Sequence, residues 1–273
     1  MAHQLLKGKR GIIFGALDPN SIAWKVAKRA HEEGAVFTLT NAPVAMRMGA
    51  INELAAQTGA QVIPADATLN EDLENLFSKS MEILGGKIDF VLHSIGMSPN
   101  VRKNIPYTQT NYDFFHKTLD ISALSLHRTL QTAMKMDAIS EWGSVVALSY
   151  IAAQRVFPDY NDMADAKSLL ESIARSFGYQ YGKARKVRVN TISQSPTKTT
   201  AWSDPAVPAR LAAGRRRHTD HNRRRRVRRH PKGRSRSPPR SSPSVAPTAC
   251  RCAASRRGAR SCAAERADKK PVA

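Results

Sequence analysis

The chain has 273 residues, is 41% hydrophobic and carries a formal net charge of +21. Residues 1–201 hold 22 Lys+Arg against 18 Asp+Glu, and residues 202–273 hold 21 against 4, so +4 of the charge lies in the first part and +17 in the last quarter. The basicity is therefore no sign of a nucleic-acid or membrane partner for the first 201 residues, whose size suits one large α/β domain.

The opening MAHQLLKGKRGIIF lacks the apolar stretch of a signal peptide, and no apolar run anywhere is long enough to span a bilayer, so a cytoplasmic protein is the expectation. The three cysteines, Cys250, Cys252 and Cys262, all lie in the last quarter, which leaves the first part no disulfide framework and no Cys metal site. No metal is implied.

In chain order, short apolar and β-branched runs predict strands at 11–14, 36–40, 61–64, 88–92, 144–149 and 187–192. Helical periodicity predicts a helix over 21–33 with Ile22, Val26 and Ala30 on one face. A second covers 70–84, with a stripe of Leu73, Leu76, Phe77 and Ile83, and two long helices are predicted over 112–136 and 163–181. Strands alternating with helices give right-handed βαβ units, and six of them describe a doubly wound parallel sheet of Rossmann type.

The first strand runs into Gly15-Ala-Leu-Asp-Pro-Asn-Ser21-Ile22. A pyrophosphate requires a tight turn, a close backbone approach and the free N–H groups of a helix N-terminus. Gly15 suits the approach, and Ser21 suits the N-cap with a hydroxyl able to reach phosphate. The G-x-G-x-x-G pattern is absent, so a plain turn glycine stays open as a reading. The second strand ends at Asn41, where the adenosine ribose is met in this fold. A neutral residue without a basic neighbour points to NADH, a capping role is equally compatible, and Arg47, six positions on, keeps NADPH open. Asp66 after the third strand suits either the adenine amino group or the cap of the next turn. His93-Ser94-Ile95-Gly96 ends the fourth strand, with Gly96 allowing approach to a nicotinamide ribose and His93 reading most simply as a satisfied strand-end histidine.

The stretch after the fifth strand carries Tyr150, Tyr160, Met163 and Lys167, with the long helix opening at about Met163. The common short-chain dehydrogenase spacing, Tyr-x3-Lys, is not met, because Met163 stands four before Lys167. Instead the spacing is Tyr-x6-Lys, with a further tyrosine ten residues upstream. In this pair of spacings the chain resembles the enoyl-[acyl-carrier-protein] reductases, over about residues 5–201. The likeness extends through Asp120-Ile121-Ser122 and through Val187-Arg188-Val189-Asn190 to Pro196 and Thr199. The resemblance implies an NADH-dependent reduction of trans-2-enoyl-[acyl-carrier-protein] with Tyr150, Tyr160 and Lys167 as the catalytic set. It implies cofactor contacts from Gly15, Ser21, Ile22, Asn41, Asp66, Ala67, Ser94, Ile95, Gly96, Lys167, Pro196, Thr197 and Thr199. Substrate contacts are implied from Ser98, Tyr150, Tyr160 and Met163, and a homotetramer as the assembly. The chemistry suits those residue types. A phenol O–H aimed at the thioester oxygen stabilises an enolate more than the ground state, and a neighbouring ammonium is expected to lower that phenol's pKa.

At Trp202 the composition changes: every Phe, Tyr, Met and Ile precedes it, and Arg, Pro, Ser and Ala dominate the remaining residues. Residues 1–201 thus read as a reductase domain and 202–273 as a disordered basic tail. Nothing in that tail resembles the substrate-covering helices and last strand of the family, and a change of reading frame near codon 201 is the preferred explanation. A nucleic-acid-binding tail built on clusters such as Arg223–Arg226 is the second, and a secreted cysteine framework, disfavoured by the odd number of cysteines and the lack of a signal peptide, the third; for the function, an NAD-binding but inactive product is the alternative.

Overall fold

Six parallel strands form one sheet in the computed structural model, which describes residues 3–47, 50–157 and 160–194. The basic tail and the contacts expected from Pro196, Thr197 and Thr199 lie outside the described residues. The strands are β1 (Arg10–Phe14), β2 (Val36–Thr40), β3 (Gln61–Val62), β4 (Ile88–His93), β5 (Ile139–Tyr150) and β6 (Arg188–Gln194), in the spatial order β3-β2-β1-β4-β5-β6. The helices between them are α1 (Ile22–Glu32), α2 (Pro43–Met46), α3 (Ile51–Thr58), α4 (Asn70–Leu84), α5 (Pro99–Arg102), α6 (Tyr112–Leu119), α7 (Ser125–Lys135) and α8 (Asn161–Arg185). This is the doubly wound arrangement that the alternation of strands and helices predicts.

Both faces are covered over β1, β2, β4 and the second half of β5, which is why those strands read as apolar runs, while β6 has no buried residue. Ile12, Phe14, Val91 and Val145 pack on one side with Leu73, Leu76 and Leu126. Ile13, Leu39 and Leu92 pack on the other with Trp24, Ala27 and Leu54. The period of two along β1 divides Ile12 and Phe14 from Ile13.

Several boundaries differ from the sequence reading, each for a tertiary reason. On α1 the buried face is Ala23, Trp24, Ala27 and Ala30, and Val26 is exposed. Burial energy scales with apolar area, and the Trp24 indole has more of it than the Val26 side chain. On α4 Ile83 is exposed, and Ser80 is buried in its stead, its hydroxyl 2.8 Å from that of Thr38 on β2. The single helix expected over 112–136 is broken by a π-helical segment at Asp120–Leu124. Inside it Ser122 Oγ accepts from Met97 N–H (2.9 Å) and donates to Met97 C=O (3.1 Å), a pairing that hydropathy cannot foreshadow. β5 starts ahead of its apolar run, at Ile139, through a bulge opposite Ile88 and Phe90. α8 opens at Asn161 rather than Met163 and ends where Lys186 turns left-handed. The short helices α2, α3 and α5 were not expected. No helix among the described residues is long and apolar enough to cross a membrane.

Candidate active site

In a sheet of this order the chain leaves β1 and β4 in opposite directions, and a crevice opens at their carboxyl ends. The residues expected to hold a dinucleotide gather there. Gly15 follows β1 with φ +84°, and a Cβ on it would stand 2.0 Å from the carbonyl oxygen of Ser94, just past β4. The glycine is therefore required by the protein's own backbone, whatever it offers a ligand. Ser21 caps α1, as expected: its Oγ accepts from Trp24 N–H at 3.4 Å, but its hydroxyl hydrogen is given to the Asp18 carbonyl (2.8 Å) rather than left for phosphate. Ile22 is the first residue of α1, half-buried.

Asn41 ties the end of β2 to the β1–α1 turn, with Nδ2 donating to the Ala16 carbonyl (3.3 Å) and Oδ1 accepting from Ala42 N–H (2.9 Å). Asp66 spends Oδ1 on the Thr68 N–H and hydroxyl, at 2.9 and 2.7 Å, which is the turn-capping role. Ala67 beside it is buried.

The carboxyl ends of β4 and β5 meet the first two turns of α8. Seven positions bring Tyr160 and Lys167 to the same side of the helix start. Both are buried, as are Tyr150 and Met163. The Tyr150 and Tyr160 rings lie 4.6 Å apart. Lys167 Nζ donates to the carbonyls of Leu148 (2.8 Å) and Ile95 (3.1 Å) and so joins β5 to the loop after β4. A Cβ on Gly96 would come 3.5 Å from Nζ and 3.8 Å from Met163 Cε, so these groups form one cluster. His93, wholly buried at the end of β4, is held neutral by burial and then by the Lys167 charge, which push it down to about 3. Its Nε2 lies 2.9 Å from Ser125 Oγ while its Nδ1 is buried without a hydrogen-bond partner among the described residues, so the expected satisfied histidine is met at one ring nitrogen only.

One expectation is corrected. Burial, then Tyr150, push the Tyr160 phenol well above the ordinary tyrosine value, the reverse of the lowering expected from Lys167. The ammonium is turned to two carbonyls, and loss of water around a phenolate dominates. Ser98, expected against substrate, is 3% exposed and engaged within the protein: its Oγ donates to Asp162 Oδ1 (2.6 Å) and accepts from Val101 N–H at the start of α5.

Burial lowers Lys167 from 10.5 to about 8. Between those values the unfolded chain keeps a proton that the folded chain has lost, so stability rises with pH across that window. Wild type is expected to gain on Lys167→Met by on the order of 3 kcal/mol over it, read from urea midpoints at a series of pH values. A difference that stays flat with pH would contradict the buried ammonium.

Three site residues were missed by sequence reasoning. Glu171, a turn beyond Lys167, is buried and accepts from Ser149 Oγ (2.6 Å) and Gln154 Nε2 (3.2 Å). Asn161 and Asp162 open α8 and are buried as well. An acidic residue in a helix's first turn is so ordinary a signal that nothing in its spacing betrays burial.

Residues 15–228 match the family model described as Enoyl-(Acyl carrier protein) reductase. The chain belongs to the enoyl-[acyl-carrier-protein] reductase family. It is 37% identical over 203 residues to enoyl-[acyl-carrier-protein] reductase [NADH] 1 of Rhizobium meliloti (strain 1021), covering 74% of this chain and 73% of the relative. With the reductase FabI of Aquifex aeolicus (strain VF5) it shares 35% over 198 residues, 72% of each. Among solved structures, the FabI–NADH complex from Alistipes finegoldii superposes with a TM-score of 0.73 at 65% identity, covering 74% of this reductase and 71% of that chain.

Proposed function

We propose that this reductase reduces trans-2-enoyl-[acyl-carrier-protein] with NADH in fatty-acid elongation, using Tyr160 as the hydrogen-bond donor to the thioester carbonyl. The observation that carries this reading is the buried cluster of Tyr150, Tyr160, Met163 and Lys167 against Gly96 at the carboxyl ends of β4 and β5.

The residues suit the cofactor. Lys167 gives two of its ammonium's three N–H donors to carbonyls, which leaves one for a ribose hydroxyl. Gly96 leaves beside Nζ the room that a side chain would take. Gly15, Ser21, Ile22, Asn41, Asp66, Ala67, Ser94 and Ile95 are assigned to the same cofactor by position along the crevice. When bound, NADH supplies the hydride that reaches the β-carbon of the enoyl thioester. Negative charge then develops on the thioester oxygen, and the Tyr160 O–H donates to it. Because burial raises its pKa, Tyr160 stays protonated through the neutral range and is present as a donor. In an apolar, water-excluded site such a bond is worth more than in water. Tyr150, its ring tilted against that of Tyr160, and Met163 supply the apolar wall against which the acyl chain lies. Assembly as a homotetramer and a cytoplasmic location belong to this proposal through family membership.

The test is NADH oxidation by the full chain on crotonyl and acetoacetyl thioesters. Oxidation with the crotonyl substrate and not the acetoacetyl one is expected. The opposite preference would make the protein a ketoacyl reductase, the chemistry usually served by Tyr-x3-Lys.

A further inference from the structure

The start of α8 is fastened to the segment between β4 and α6 by a buried polar network. Asp162, fully buried, accepts from Ser98 Oγ (2.6 Å), Thr118 Oγ1 (2.7 Å) and Asn100 Nδ2 (2.8 Å). Asn161, before it, donates from Nδ2 to the Ile105 carbonyl (2.6 Å), and its Oδ1 accepts from Thr110 Oγ1 (2.8 Å) and from Asp162 N–H (2.6 Å). Asn161 also has φ +39°, a conformation that asparagine tolerates better than most residues. Tyr160 immediately precedes this pair, and its own position at the helix start has no side-chain cap.

We infer that Asp162 is a positioning residue for the proposed reduction: its three hydrogen bonds set where the Tyr160 phenol lies relative to the 94–98 segment. The inference rests on the proposed enoyl reduction. Its support is the geometry at both ends of the cluster. Lys167 grips Ile95 from within α8, and Asp162 grips Ser98 from the helix's first turn, so the backbone between Ile95 and Ser98 is held at two points of one helix. Tyr160 stands at the N-terminal end of that helix. Without the Asp162 bonds only Lys167 would tie α8 to the 94–98 segment itself, because the Asn161 bonds reach Ile105 and Thr110, and the phenol would be freer to shift against Ile95–Ser98.

A stability role alone gives a weak account of the network. A buried ionised side chain with its partners is often no more stabilising than well-packed apolar groups of similar volume. Three directional bonds, in contrast, restrict orientation, and a misplacement near 1 Å is enough to cost about 100-fold in rate. Asp162 touches no reacting atom, so its effect is carried by Tyr160.

The experiment compares the full chain with Asp162→Asn, which keeps the volume but turns a donor toward donors. Turnover on crotonyl thioester is expected to fall about 10- to 100-fold in this variant, with the NADH dissociation constant within about twofold of wild type. A second readout needs no turnover. In protein labelled with 3-fluorotyrosine, the Tyr160 resonance (assigned with Tyr160→Phe) should shift or broaden in Asp162→Asn, while that of Tyr181 holds. Should Asp162→Asn fail to fold, Thr118→Val removes one donor only and should move the same resonance by less. An unmoved Tyr160 resonance overturns the inference, whether turnover is kept or lost. If wild type itself fails to reduce the enoyl thioester, the functional reading is what has failed. The fluorine signal still decides whether Asp162 places Tyr160, a shift supporting it and a still resonance overturning it.

Discussion

Replacing Tyr160 by Phe is expected to lower turnover on a short enoyl thioester about 10²- to 10³-fold, the range found when a single donor to a developing oxyanion is removed. The substitution deletes one oxygen and leaves the ring that packs against Tyr150 at 4.6 Å. Tyr160 is buried and lies at the start of α8, so packing should survive. The dissociation constant for NADH is expected to stay within about twofold, because the loss falls on the transition state rather than on ground-state binding. Stopped-flow or steady-state NADH oxidation gives the rate, and fluorescence quenching of NADH gives the binding. Tyr150→Phe is the companion measurement. If it were as damaging as Tyr160→Phe, or if Tyr160→Phe turned over at the wild-type rate, the assignment of the donor would be mistaken.

Gly15→Ala is expected to be the most damaging single substitution for stability. Two separate costs meet at this position. Its φ of +84° disfavours any side chain, and the added Cβ would stand 2.0 Å from the Ser94 carbonyl oxygen, an overlap only backbone movement can relieve. Backbone strain and overpacking together cost about 3–5 kcal/mol. For a folded region of this size that corresponds to a fall in melting temperature of about 10 °C. Gly59→Ala is the control, since Gly59 has φ +66° but nothing within 4 Å of its would-be Cβ. It carries the conformational cost of about 1 kcal/mol and no steric one. Calorimetry on the two variants separates the contributions. Equal losses would show that the β1–α1 turn leaves more room beside Ser94 than a Cβ placed 2.0 Å from its carbonyl oxygen implies. A large loss at Gly15 alone would also mean that a glycine here says little about cofactor binding, since the fold itself demands it.

Much of the fold was readable from local pattern. α4 runs over the residues that its periodicity marks, and each strand overlaps its apolar run, on the inner strands because a sheet covered on both faces leaves no polar alternation to obscure them, and on β6 although its residues are exposed or half-buried. The Ser21 cap is legible for the same reason: capping is a contact within one turn. Of the site, the spacing of Tyr160 and Lys167 was legible, since seven positions on a helix return a side chain to nearly the same face. Helix faces were less so. Val26 is as apolar as the alanines buried on α1 and Ile83 is more apolar than the Ser80 buried in its stead, so only the sheet beneath decides which way each helix is turned. The same holds for the π segment at Asp120–Leu124, where a serine reaches Met97 across the fold.

What the sequence by itself determined is the order and kind of the elements, the capped turn after β1, and the spacing that places a phenol and an amine at one end of α8. These depend on periods and contacts of a few residues. Only the tertiary structure decided that the Ser98 hydroxyl is given to Asp162, that the Asp66 carboxylate closes its own turn, and that the Tyr160 phenol is raised rather than lowered. The physical reason is distance along the chain and the removal of water. Ser98 and Asp162 are 64 residues apart, and Lys167 and Ile95 are 72 apart. Neither their pairing nor the desolvation that shifts Tyr160 leaves any mark on local sequence, because both come into being when separate elements close over the same interior.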